Sequence, residues 1–455
     1  MNNPVPKSDQ VPSTGNTDSS LPILVIVGGG FGGLAAARRL QAMPIRIILI
    51  DRANHNLFQP LLYQVATSVL SPGQIASPIR NLLRHQKNVT VILGEVKGVD
   101  RVNRTVTFDT PDRPGVAIGF DYLILATGAT QSYFGHPEFE LNAPGLKTLA
   151  DAIRVRDRLL KTFEMAEAEE DPSKHPDLLT IVLIGAGPTG VEMAGAIAIL
   201  TQKTLKSEFR RIDISDIRIV LLDAAPRVLP TFSEKLSNAA LVRLNRLGVD
   251  VRLGHGVESI DAEGVIVGGE RIRSHTVIWT AGVAASPAGK WLNAETDRSG
   301  RVRILPNLTV PGSPDIFVIG DTASLDQEGK PLPGVAQVAL QQGRFAADCI
   351  CARISGGGIP TEFHYHDKGS LAVVGKGFAI LQSGGVAISG FVAWLIWAGI
   401  HLQFLAQASL RISVFLQWVW TYVTGQRGSR IIIGPFEGPL PAKPVARSAL
   451  NSSGT

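Results

Sequence analysis

The strongest constraint on this 455-residue chain is a unit that occurs twice. Leu21 opens a mostly apolar run to Val27, followed by Gly28-Gly29-Gly30-Phe31-Gly32-Gly33 and then by Leu34 to Leu40, a run of helix formers. A second apolar strand, Ile45 to Ile50, ends in Asp51. The pattern returns with a strand from Thr180 to Ile184, the turn Gly185-Ala186-Gly187-Pro188-Thr189-Gly190 and a helix from Val191 to Leu200. Its closing strand, Ile217 to Leu222, ends in Asp223. Repetition of strand, glycine turn, helix and strand-end acid predicts an α/β chain with two Rossmann-like domains.

Gly28, Gly30 and Gly33 fit the spacing G-x-G-x-x-G, in which glycines permit a tight turn and bring backbone N–H groups up to a pyrophosphate at a helix N-terminus. Asp51 follows Gly33 by 18 residues, where a carboxylate accepts hydrogen bonds from an adenosine ribose. Gly185, Gly187 and Gly190 repeat the arrangement. Asp223 follows Gly190 by 33 residues, an interval that a helix extended through Lys206 absorbs. An acid there favours a free 2′-hydroxyl, hence NAD over NADP, with Arg227 weighing the other way. A weakly amphipathic helix near Leu149–Glu170 and the break Asp171–Pro176 precede the second unit, which therefore reads as inserted in the first. The expected division is a disordered leader at 1–20, one dinucleotide fold at 21–150 with 300–350, and a second at 178–299. A C-terminal region follows at 360–433, with an irregular tail at 434–455.

Composition matters most at the C-terminus. The chain is 45% apolar and 18% charged, more hydrophobic than a freely soluble enzyme needs. Of its net charge of +5, +4 lies beyond Gly385, which fits an anionic membrane surface and not a nucleic-acid-binding face. Gly377 to Leu410 contains no Asp, Glu, Lys or Arg, and Trp394, Trp397, Trp418 and Trp420 lie in or just beyond it. His401, Gln403 and Gln407 interrupt the run, so helices lying at headgroup level, with Arg427 and Arg430 beside the lipid, are expected ahead of a transmembrane span or a buried core or dimer helix. Two cysteines exclude a disulfide framework, and Cys349 and Cys351 read as inert thiols in an apolar helix. His364 and His366 have no clustered partners, so no metal is expected.

Other segments carry a family resemblance. Tyr122-Leu123-Ile124-Leu125-Ala126-Thr127-Gly128 is similar to the strand that crosses near a flavin, and Val277-Ile278-Trp279-Thr280-Ala281-Gly282 is its twin. Ile319-Gly320-Asp321-Thr322 resembles the segment whose Asp holds a ribityl chain. The run from His55 to Ala66 and Ala336-Gln337-Val338-Ala339-Leu340-Gln341 resemble signatures of type II NADH dehydrogenases, of the pyridine nucleotide-disulfide oxidoreductase-like superfamily. The likeness spans about Leu21 to Ile433.

It implies FAD at Gly28, Gly30, Gly33, Asp51, Thr127, Gly128 and Asp321, and NADH at Gly185, Gly187, Gly190, Asp223 and Gly282. The implied activity is non-proton-pumping electron transfer from NADH to a membrane quinone. Gln337 and Gln341, four apart on one helix face, would reach a quinone carbonyl, the bland alternative being a solvated helix face. Glu192 would serve NADH placement or proton supply, and Lys376 would lie near the quinone. The implied location is peripheral or monotopic, on the cytoplasmic side of the cell membrane, with a homodimer left open. Two rivals stand beside this reading: a soluble NADH-dependent reductase of another acceptor, and a flavin-bound, NADH-responsive signalling protein.

Overall fold

A computed structural model describes residues 21–205 and 208–434; the expected leader and nearly all of the irregular tail lie outside the described residues. Strand β1, Ile23–Val27, is almost wholly apolar because it is buried on both faces. It pairs in parallel with β2, Arg46–Asp51, and with β4, Tyr122–Leu125. Strand β3, Val89–Leu93, extends the sheet beyond β2, and β9, Ser313–Val318, beyond β4. A short antiparallel strand, Thr309–Val310, closes that edge. Helices α1, Phe31–Arg39, and α3, Ala336–Ser355, cross on one face of this sheet. Only glycines allow the crossing, since a Cβ at Gly343 would stand 2.2 Å from the Gly32 carbonyl oxygen.

The second sheet repeats the first. Strand β5, Thr180–Ile184, lies between β6, Arg218–Asp223, and β8, Thr276–Trp279, with β7, Val249–Leu253, outside β6. Each parallel sheet is also accompanied by a three-stranded antiparallel meander, 95–119 in the first and 257–273 in the second. The duplication is thus longer than the glycine motifs alone reveal. Ala129–Gln131 and Val283–Ala285, which leave the two Ala-Thr-Gly-like strands, pair antiparallel and tie the halves together.

Helix α2, Pro188–Ile199, ends sooner than expected. A π-helical turn, Leu200–Thr204, follows, and Lys206 lies outside the described residues. The interval to Asp223 is taken up by this turn and irregular chain, not by a longer α-helix. The linker helix forms over Leu149–Ala168, opened by a capping box of Thr148 and Asp151.

A three-stranded sheet, 370–390, leads to helices α4, Phe391–Phe404, and α5, Ala408–Thr424. Both set one side on the large core: Ala393, Trp397 and Val414 are buried there. The other side is open, with Val392, Leu395, Ile412, Leu416 and Val423 each more than half exposed. Among the described residues no helix is long and apolar enough to cross a membrane.

Arg427 and Arg430, expected beside the lipid, both have partners within the protein. After Gly425 the chain turns back, and the buried Arg427 guanidinium donates to the carbonyl oxygens of Thr67 at 2.7 Å and Ala196 at 3.0 Å. Arg430 pairs with Glu208. The tryptophans also divide: Trp394, Trp397 and Trp418 line a cavity, Trp397 from the core, and Trp420 is exposed.

Candidate active site

The two glycine turns are built alike. Gly28 has φ +104°, and a Cβ there would meet the Ala126 carbonyl oxygen at 2.3 Å. At Gly33 a Cβ would stand 1.9 Å from the Gly28 carbonyl oxygen, so helix α1 meets β1 only because this position is glycine. Nothing lies within 4 Å of a Cβ at Gly30, which leaves open backbone at the α1 N-terminus. Gly185 (φ +107°), Gly190 (a Cβ 1.8 Å from the Gly185 oxygen) and the open Gly187 reproduce all three features. These cradles fit two dinucleotides: each pairs uncrowded backbone N–H groups with a helix N-terminus.

The strand-end acids brace the turns as well. Asp51 accepts from the Gly29 N–H at 2.5 Å and the Ala53 N–H at 2.7 Å. Asp223 accepts from Ala186 at 2.5 Å and Ala225 at 2.8 Å. Each carboxylate oxygen keeps acceptor capacity for a ribose hydroxyl. Burial pushes the Asp51 carboxyl up, against the pull of its two N–H donors.

Around the first cradle, Gly128 (φ +68°) is open, while Thr127 Oγ1 meets Ser286 Oγ at 2.5 Å and Thr322 Oγ1 at 3.1 Å. Asp321 sits in the turn Gly320–Thr322, and the Gly320 N–H donates to Gln342 of α3 at 2.6 Å. Burial raises the Asp321 carboxyl, opposed by the charges of Lys147 and Arg301. These groups gather outside the carboxyl ends of the parallel strands, where ligands of such sheets bind. Gly282 differs. The Phe134 ring covers it, so close that a Cβ would stand 2.3 Å from Cζ. The ring fills the direction in which a Gly282 side chain would point.

A cavity with mostly apolar walls lies between helix α2, the 62–66 helix and helices α4 and α5. Glu192, on α2, lines it and, among the described residues, accepts only the Val373 N–H, at 3.3 Å. Burial lifts this carboxyl to about 8. Lys376 also lines the cavity, its Nζ 4.1 Å from the centre of the Tyr422 ring and donating to the Tyr422 carbonyl oxygen. Tyr63, Gln64, Thr421 and Arg427 add further polar groups to the lining. Burial first, then the nearby Glu192, raises the Tyr63 phenol well above its ordinary value. Burial lowers Arg427 to about 9 and, beneath Trp397, His401 to about 4.

Gln337 and Gln341 are not in this lining. Both do face one way, but toward their own chain. Gln337 bonds to the backbone of Lys368 and Gly369, and Gln341 to both backbone groups of His366, all within 3.3 Å. Their amides satisfy a loop that would otherwise leave backbone groups unpaired. Cys349 and Cys351 are free thiols on α3, and burial raises Cys349 to about 11. Sequence reasoning did not single out Tyr63, Gln64 or Arg427 as site residues, although the first two lie inside the His55–Ala66 signature.

Comparison with known proteins agrees with this architecture. The family described as pyridine nucleotide-disulphide oxidoreductase matches residues 23–343. The type II NADH:quinone oxidoreductase Ndh of Mycobacterium tuberculosis is 45% identical over 428 residues, covering 90% of each chain. NdhA of the same organism, another type II NADH:quinone oxidoreductase, is 44% identical over 90% of this chain and 89% of its own. The structure of NDH2 from Plasmodium falciparum in complex with NADH superposes with a TM-score of 0.82 at 18% identity, over 91% of this chain and all of that one. The chain therefore belongs to the pyridine nucleotide-disulphide oxidoreductases and, within them, to the type II NADH:quinone oxidoreductases.

Proposed function

We infer that this chain catalyses NADH + H⁺ + quinone → NAD⁺ + quinol with FAD as intermediary, without pumping protons. The observation that carries the site assignment is helix α2: its N-terminus frames the second dinucleotide cradle, and Glu192, one turn on, faces the apolar cavity. One rigid element thereby links the nicotinamide side to the quinone side. Bound FAD supplies hydride acceptance from NADH and delivery of the electron pair.

The protein binds, orients and manages one proton. Gly28, Gly30 and Gly33 with Asp51 hold FAD, Asp321 serves its ribityl hydroxyls, and Gly185, Gly187, Gly190 and Asp223 hold NADH. A 2′-phosphate would face the Asp223 carboxylate, which favours NADH over NADPH. Quinol formation takes two protons, of which the hydride brings one. Glu192, protonated at neutral pH, is suited to deliver the other. The trial of this reading is spectroscopic: NADH should bleach the bound flavin, and a short-tailed quinone added anaerobically should restore its absorbance. A flavin that NADH leaves oxidised, or that quinone leaves reduced, would rule the activity out.

The open apolar sides of α4 and α5 support monotopic attachment to the membrane that holds the quinone, on the cytoplasmic side where NADH is available. Because Arg427 and Arg430 are engaged internally, attachment should depend little on salt. Removing both helices would also strip Trp397 and Val414 from the core, so substitutions are the better probe. Leu416→Glu with Val423→Glu should abolish flotation with anionic liposomes and keep activity toward a soluble quinone analogue. Unchanged flotation would place the attachment elsewhere.

A further inference from the structure

Among the polar groups in the cavity wall, three form a hydrogen-bond relay with only one direction. The Trp418 indole N–H donates to Gln64 Oε1 at 2.7 Å. An indole nitrogen has a proton to give and no lone pair to offer, so the amide oxygen of Gln64 must face Trp418 and its nitrogen must face away. That nitrogen donates to the Tyr63 hydroxyl oxygen at 3.0 Å. The phenol thus already accepts a bond, and its own hydrogen must go to another acceptor.

Among the described residues no acceptor for that hydrogen is found. Tyr63 is 5% exposed and lines the cavity, so its hydrogen finds its partner there. A buried donor without an acceptor is costly, and it makes the site selective for a ligand that brings one. The surrounding wall is chiefly aromatic, with Trp394, Trp397 and Trp418 placed to pack against a flat ring.

We propose that the Tyr63 hydroxyl donates a hydrogen bond to a carbonyl oxygen of the bound quinone, with Gln64 and Trp418 as positioning residues that fix its direction. The proposal rests on reading this cavity as the quinone site. It also gives the site a preference between substrate and product. A quinone carbonyl is a better acceptor than a quinol hydroxyl, and the Gln64 amide already occupies the phenol oxygen that a quinol O–H would seek. The relay therefore holds the oxidised ring more tightly than the reduced one, which favours release of product.

The test uses the full-length holoenzyme and a short-tailed quinone, with binding read from quenching of tryptophan fluorescence. Tyr63→Phe should weaken quinone binding about tenfold, the effect of losing one hydrogen bond from a buried donor, and leave flavin reduction by NADH unchanged. Trp418→Phe should weaken it less, because the Gln64 amide can then turn. Infrared difference spectra with a ¹³C-carbonyl quinone supply a readout that a merely structural role would not move. One carbonyl band should be lowered in the wild-type complex and return to its unbonded position in Tyr63→Phe. Wild-type affinity in Tyr63→Phe, or two unshifted carbonyl bands in the wild type, would overturn the proposal. Val69→Trp, which fills the cavity, separates the two levels of inference. If Val69→Trp blocks quinone and Tyr63→Phe does not weaken it, the relay is wrong. If Val69→Trp binds quinone normally, the cavity itself is misassigned.

Discussion

Replacing Glu192 by glutamine should slow reoxidation of the reduced flavin by quinone about 100-fold, in the range typical of a lost general acid, and leave reduction by NADH nearly intact. The carboxyl has one weak N–H partner and apolar surroundings, so burial holds it protonated up to about pH 8. In the wild type, the quinone half-reaction should therefore fall as pH rises through 8, and in Glu192→Gln that inflection should vanish. Stopped-flow traces of the two half-reactions across pH separate these outcomes. An inflection that persists in the variant would assign it to another group. Arg427, which lines the same cavity and is lowered by burial to about 9, is the first candidate.

The same raised value makes a statement about stability, whose sign is fixed. Below about pH 4.5 the carboxyl is protonated both folded and unfolded and has no effect. From there to about 8 the unfolded chain releases the proton that the folded chain keeps, so this group increasingly destabilises the fold as pH rises. Glutamine carries no such penalty. Melting curves of Glu192→Gln and wild type should coincide near pH 4 and diverge toward pH 8, the variant melting higher.

What the sequence revealed and what it hid divide along one physical line. The glycine turns were legible because a backbone requirement is local: only glycine tolerates φ +104° at position 28 and the contact with its oxygen at position 33. The strand-end acids and the buried parallel strands were legible for the same reason, since each shows within a few residues. The quinone side is assembled from distant chain. Trp418 reaches Gln64 across 354 positions and Arg427 reaches Thr67 across 360, separations at which spacing carries no signal.

Gln337 and Gln341 show the converse. Their i, i+4 spacing correctly places both amides on one side of a helix. Whether such a side meets a ligand or a loop depends on where 366–369 runs, 25 or more residues away. The basic tail shows the same dependence on distant chain. Arg427 counts toward a surface charge in the sequence, yet helix-end carbonyl oxygens take it into the core.

The duplicated architecture makes a pair of alanine substitutions asymmetric in a way that neither turn alone would predict. At Gly33 the added Cβ meets the Gly28 carbonyl oxygen at 1.9 Å, and at Gly190 it meets the Gly185 oxygen at 1.8 Å. In both cases the obstacle is backbone, which cannot swing aside as a side chain would, so the helix must move away from its strand. Overpacking costs about 1–3 kcal/mol even where neighbours adjust, equivalent to roughly 5- to 150-fold in ligand affinity. Gly33→Ala should therefore purify with much less than one FAD per chain. Gly190→Ala should remain yellow, because the first cradle belongs to the other sheet, but NADH should bleach it only at greatly raised concentration. The further consequence follows from Glu192 lying two residues beyond Gly190. Displacing the start of α2 also moves the acid that faces the cavity, so Gly190→Ala should slow reoxidation of dithionite-reduced flavin by quinone. Asp223→Ser, which alters the NADH cradle but leaves the Gly185–Gly190 packing at the start of α2 in place, should leave that reoxidation near the wild-type rate. A colourless Gly190→Ala protein would undo the separation of the cradles. Equal reoxidation rates in Gly190→Ala and Asp223→Ser would undo the coupling through α2.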